Sequence, residues 1–95
     1  MSIYAVHYAY GPVKAQLRDE HRAEHRRWLG EENAAGNVLM AGPYPDGSGA
    51  LILVRAEGGV DAAEAFIAND PFIATEAVDG VRVVEWTQVY GPFGD

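Results

Sequence analysis

Ile3-Tyr4-Ala5-Val6-His7-Tyr8-Ala9-Tyr10 is rich in aromatic and β-branched residues and stops at Gly11-Pro12, a pattern that predicts a first strand closed by a turn. Strand alternation puts Tyr4, Val6, Tyr8 and Tyr10 on one face and Ile3, Ala5, His7 and Ala9 on the other. Both faces are apolar enough to be covered, so His7 reads first as a half-buried strand histidine satisfied by a neighbour. The polarity period then changes. Arg18 to Leu29 contains no Pro or Gly and is rich in good helix formers, which predicts a helix with Asp19 as its N-cap and Gly36 as the left-handed residue that ends it. Val38-Leu39-Met40-Ala41 reads as a second strand cut off by Gly42-Pro43, and Tyr44 to Gly49 as a turn-rich connection. The next run, Ala50-Leu51-Ile52-Leu53-Val54, is apolar at every position, which suits a central strand covered on both faces. The shortness of the connection makes strands two and three antiparallel neighbours.

Gly58-Gly59 opens a second helix over 60–68, with Ala62, Ala63, Phe66 and Ile67 turned inward. In Asn69-Asp70-Pro71-Phe72 the pairing of an acid with a following Pro is what a helix start looks like, a capping carboxylate with Pro at N1. Val81 to Tyr90 alternates as a long final strand that ends at Gly91-Pro92. The order β-α-β-β-α-β, with right-handed crossovers, gives a four-stranded antiparallel sheet with both helices on one face, the α+β ferredoxin-like arrangement. A chain this short buries a modest share of its surface, so the sheet face that the helices leave bare calls for a second copy, and a homodimer is expected.

Composition narrows the field. The 95 residues are 48% hydrophobic and 22% charged, which fits one domain over residues 1–95. The net charge of −7 repels polyanions, and the basic stretch carries its own acids and no nucleic-acid-binding motif, so nucleic acid is excluded as a partner. There is no cysteine, hence neither a disulfide framework nor a thiolate site. The start of the chain lacks the features of a leader, and no apolar run approaches the roughly 18 residues of a membrane span. A cytoplasmic protein with no membrane partner is the expectation.

Candidate chemistry concentrates on the first helix. Lys14, Arg18, Arg22, Arg26 and Arg27 are five of the seven basic residues. Arg18, Arg22, His25 or Arg26, and Leu29 fall on neighbouring turns of one side, an arrangement suited to an anion. The competing picture is a solvated face whose arginines pair with Asp19, Glu24 and Glu31, worth at most about 1 kcal/mol per pair. His21-Arg22-Ala23-Glu24-His25 matches the H-x-x-E-H zinc signature literally, yet a hydrolytic zinc needs a third protein ligand and an open position, so no metal is assigned. Asp46-Gly47-Ser48-Gly49 leads into no helix and reads as a hairpin loop, with Ser48 at most a hydrogen bonder in a pocket.

Taken in order, Arg22-x-x-His25, Leu29, Gly36, Ala41-Gly42-Pro43, Asp46-Gly47-Ser48-Gly49, Asn69-Asp70-Pro71-Phe72 and the closing Glu85-Trp86 through Gly91-Pro92-Phe93 resemble the YciI-like (YCII-related) family over essentially the whole chain. The resemblance implies a ferredoxin-like fold that dimerises into an α+β barrel, related to muconolactone isomerase and to small cofactor-free oxygenases. It also implies a functional pair of a first-helix His and the Asp of a D-P-[FY] element, which fall here on His25 and Asp70. One branch removes HCl from a chlorinated hydroxyhydroquinone. Gly30, Glu31 and Glu32 depart from members that carry aliphatic residues after the His, which bears on pocket shape.

On that basis Asp70 would orient the His25 imidazole as an acid/base near neutrality, and Arg22 would hold an enolate, phenolate or carboxylate oxygen. Ser48 and His7 are further candidate contacts to a small anionic or aromatic ligand, and no cofactor is required. The expected activity is a lyase or isomerase. The alternatives are a non-catalytic binding or accessory module and a cofactor-free monooxygenase.

Overall fold

A computed structural model describes residues 2–94. The elements are β1 (Ser2–Ala9), a 3-10 turn (Pro12–Lys14), α1 (Ala15–Ala34), β2 (Val38–Pro43), β3 (Gly49–Ala56), α2 (Val60–Ile67), α3 (Pro71–Ala74) and β4 (Gly80–Trp86). The sheet order is β2-β3-β1-β4 and every pairing is antiparallel, so the architecture is the expected ferredoxin-like one.

Register decides what each face does. Tyr4, Val6 and Tyr8 lie opposite Val54, Ile52 and Ala50, and this face packs with Val38, Ala63, Ile67 and Phe72 into the main core. Leu17, Trp28 and Leu29 of α1 and Phe66 of α2 pack against the same cluster, and the Trp28 and Phe66 rings meet at 5.2 Å, so both long helices share one side of the sheet. The complementary face gathers Ile3, Ala5 and Leu53 with Leu39, Leu51, Val84 and Phe93, and among the described residues no helix covers it. The tyrosine set of β1 faces the helices and the main core, and the Ile3/Ala5/His7 set faces the other side, where Ile3 and Ala5 are buried in the smaller cluster.

Three boundaries differ from expectation, and the first is β2, which runs on through Gly42 and Pro43, paired with Leu51 and Ala50, instead of being cut off by them. Asp19 does not cap α1, which starts earlier: Pro12 opens the 3-10 turn, where its missing N–H costs nothing, and the helix proceeds from Ala15 without a side-chain cap. Tertiary bonds anchor that end instead. Lys14 Nζ donates to the Val78 carbonyl at 3.2 Å, and Arg18 donates to the carbonyls of Ala77 at 3.1 Å and Gly11 at 2.8 Å. Asp19 is inside the helix and accepts from Arg22. The final strand, in turn, stops at Trp86 rather than Tyr90, because among the described residues it pairs with β1 alone and the ladder runs out at the pair Ile3/Trp86. Val89 and Tyr90 then project into solvent.

Local turn chemistry behaves as its residue types require. Gly36 ends α1 at φ +87°, the left-handed geometry that only glycine adopts freely. Gly49 is needed for a different reason, since a Cβ there would stand 1.9 Å from the Tyr8 carbonyl oxygen where β3 meets β1. Among the described residues, no helix is long and apolar enough to cross a membrane.

Candidate active site

Asp70 sits in the short link between α2 and α3 with extended backbone, as a residue before Pro should. Its Oδ1 accepts the Phe72 N–H at 3.0 Å, capping α3, and its side chain is fully buried. Capping uses only part of the carboxylate. The Tyr8 hydroxyl donates to Oδ2 at 2.6 Å, and His25 Nδ1 lies 2.7 Å from Oδ1 and 2.9 Å from Oδ2. Because an ionised carboxylate only accepts, these contacts assign the proton of a neutral His25 to Nδ1 and leave the lone pair on Nε2.

His25 comes from the middle of α1, and its ring lies flat on Phe72, with centroids 3.8 Å apart and planes 1° from parallel. Phe72 thus steers both partners, Asp70 through its backbone N–H and His25 through its ring. Among the described residues Nε2 makes no hydrogen bond, and His25 lines a cleft of about 480 Å³. One wall is α1, through Arg18, Arg22, Arg26 and Leu29; the other is the end of β2 (Ala41, Gly42, Pro43) with Gly47 of the hairpin loop, over a floor of Ala50 and Ile52. Tyr10 and Phe72 complete the lining.

The arginines are not equivalent. Arg18 is buried and committed: besides the two carbonyls it holds, its guanidinium lies 4.5 Å above the Tyr10 ring and 3.8 Å from Asp79. Arg22 shares its charge with Asp19, while Arg26 makes no hydrogen bond or ion pair among the described residues. Burial, followed by the Asp70 charge, raises the Tyr10 phenol above the ordinary tyrosine range, although Arg18, Arg22 and Arg26 pull the other way. Burial also pushes the Tyr8 phenol far up, and the Asp70 charge and hydrogen bond add to it. Both phenols are neutral near pH 7, and Tyr8 donates to Asp70.

The structure therefore brings His25 and Arg22 to one cleft, with Asp70 buried behind the imidazole and outside the lining. It does not bring His7 or Ser48 there. His7 belongs to the helix-free face, where alternation from Ile3 and Ala5 puts it, and its Nδ1 is satisfied 3.0 Å from the Tyr44 hydroxyl. Ser48 is exposed in the loop, its N–H donating to Asp46 Oδ1 at 2.9 Å, and hydrogen bonds from Ser48 hold the Asp46 carboxyl below its usual range. Gly47, not Ser48, reaches the cleft. Tyr8, Tyr10 and Phe72 escaped the reading of the sequence. A tyrosine on the core-facing set of a strand needs a partner for its hydroxyl, which is a usable signal; that the partner is an acid 62 residues away is not.

A ferredoxin-like sheet thus carries on its helical side a buried His–Asp pair beside a cleft lined by arginine and aromatic groups, which defines the chain as a small α+β protein. The YCII-related domain family matches residues 2–87, and the chain belongs to that family. Its fold is similar to that of 5-chloro-2-hydroxyhydroquinone dehydrochlorinase from Burkholderia phenoliruptrix AC1100, solved in complex with 2,5-dihydroxybenzoquinone, at a TM-score of 0.75 and 22% identity over 90% of this chain and 93% of that one. No curated protein matches the sequence.

Proposed function

We propose that this protein is a small cofactor-free lyase or isomerase, dehydrochlorinase-like, acting on a ring compound that carries phenolate or other oxyanion groups. The observation that carries the reading is His25: Nδ1 is tied to a buried carboxylate and Nε2 is left unengaged in a cleft lined by arginine. In an elimination, Nε2 takes a proton from the substrate, the electrons of the broken bond become the new double bond, and chloride departs with the pair that held it. Asp70 stays ionised and stabilises the imidazolium formed, which then returns its proton to water. In an isomerisation the same imidazolium returns the proton to a different substrate atom.

Arg22 and Arg26 are the groups placed to hold the oxyanion, since Arg18 is spent on two carbonyls and the Tyr10 ring. Leu29, Ile52 and Phe72 supply apolar surface for a ring, and a cleft of about 480 Å³ is in the range that takes one small molecule. The helix-free sheet face, with Met40 and Trp86 exposed on it, is the surface we assign to a second copy of the chain.

The neighbour's substrate and ligand supply the test. Wild type incubated with 5-chloro-2-hydroxyhydroquinone should release chloride, measured by ion chromatography, and His25→Ala should not. If 2,5-dihydroxybenzoquinone stabilises both proteins equally in a thermal-shift experiment and neither releases chloride, the protein is a binding module. Oxygen uptake with an electron-rich aromatic would instead mark a monooxygenase.

A further inference from the structure

We infer that Tyr8 is a positioning residue for the His25–Asp70 pair, holding the Asp70 carboxylate in the orientation that keeps the imidazole proton on Nδ1 and the Nε2 lone pair open to the cleft. The geometry of the acceptor requires such a group. Asp70 is fixed at Oδ1 by one backbone N–H, that of Phe72 at 3.0 Å, and a carboxylate held at a single oxygen turns about its last side-chain bond. The Tyr8 hydroxyl, 2.6 Å from Oδ2, closes the second point. With both oxygens fixed, the carboxylate offers both to Nδ1, at 2.7 and 2.9 Å, and the imidazole cannot flip without breaking a buried, charge-assisted bond.

Tyr8 is suited to this duty by where it stands. It lies on the central strand β1, is 2% exposed, and pairs on one side with Ala50 and on the other with Val81, so its ring cannot leave the core. Burial beside Asp70 keeps its phenol protonated, and a neutral phenol facing a carboxylate can only donate. The three side chains come from β1, α1 and the α2–α3 link, so the unit is assembled across the whole fold rather than within one element.

The tautomer can be read without any substrate. In long-range 1H–15N spectra of protein labelled with 15N-histidine and recorded above the protonation range, wild type should show His25 as one Nδ1–H form with a slowly exchanging downfield proton. Tyr8→Phe should lose that proton to exchange and bring the two ring-nitrogen shifts towards each other, while Tyr4→Phe, on the same strand and face and equally buried, should leave them unchanged. A folded Tyr8→Phe with wild-type His25 nitrogen shifts overturns the inference. Wild type alone provides a second check: the Tyr8 hydroxyl proton should exchange slowly and show a nuclear Overhauser effect to the Phe72 amide, and exchange as fast as that of the solvent-exposed Tyr90 hydroxyl overturns it too.

The catalytic consequence rests on the proposed acid/base role of His25. If chloride release is observed, Tyr8→Phe should lower kcat roughly tenfold with KM nearly unchanged, the size of effect that loss of an outer-shell hydrogen bond to a working imidazole produces in metal sites. Absence of turnover in wild type would refute the lyase reading and leave the tautomer result standing, whereas an unchanged tautomer would refute the role of Tyr8 whatever the turnover.

Discussion

Asp70→Asn separates the three duties of one buried carboxylate. The helix cap should survive, because an amide oxygen accepts the Phe72 N–H about as well as a carboxylate does. With the amide oxygen kept on the cap, its NH2 faces the Tyr8 hydroxyl, which must turn from donor to acceptor, and the His25 Nδ1–H keeps one neutral acceptor in place of a charged one; at about 1 kcal/mol each these changes come to about 2 kcal/mol together. For a domain of this size that lowers Tm by about 8–16 °C. Asp70→Ala should be worse. It removes the cap, worth about 1 kcal/mol, and leaves a phenol and an imidazole N–H buried without partners at about 1–3 kcal/mol each, so a loss of about 3–7 kcal/mol is expected. Urea unfolding followed by far-UV circular dichroism and by the fluorescence of Trp28, which packs on Phe66, gives both values. If Asp70→Asn is within about 0.5 kcal/mol of wild type, below the loss of even one such contact, the carboxylate is not holding Tyr8 and His25 as argued. If it is as damaging as Asp70→Ala, the ranking of cap against charge is wrong.

Three further outcomes are expected. Gly49→Ala should cost about 3 kcal/mol or more in urea unfolding, because the added carbon would stand 1.9 Å from a backbone oxygen that belongs to the sheet ladder and cannot move aside; a near-neutral substitution would refute that close approach. The Tyr8 phenol titrates higher in the folded chain than in the unfolded one, so its contribution to stability is complete below about pH 10 and is lost as pH rises beyond it. Between about pH 10 and 11.5 the stability of Tyr8→Phe should therefore fall less steeply than that of wild type, by up to about 1.4 kcal/mol per pH unit, and parallel slopes would contradict it. Static light scattering at micromolar concentration should give wild type twice the 10.3 kDa chain mass and Met40→Glu the single mass, since Met40 is 56% exposed on the helix-free face and a charge there harms assembly more than folding; a wild-type mass of 10.3 kDa would refute the homodimer.

Hydrophobic period and turn residues alone determined the order of elements, the antiparallel pairing of β2 with β3, the central place of the apolar run at 50–54, the Gly36 stop and the capping role of Asp70. Those signals act over a few residues, and the handedness of two crossovers converts their order into a fold. Position along α1 likewise put Arg18, Arg22, His25 and Leu29 on one side, and all four line the cleft. What the sequence left open depended on groups far apart in the chain. Asp19 looked like a cap because nothing local shows that Gly11, Ala77 and Val78 carbonyls would anchor an earlier start. Tyr90 looked like the end of a strand because alternation does not know where its partner stops. His7 and Tyr8 are adjacent in sequence, yet they end on opposite faces, one bonded to Tyr44 and the other to Asp70, because docking α1 and α2 chose which set of β1 side chains to bury. That choice is a comparison of packing over the whole sheet face, and only the assembled structure makes it.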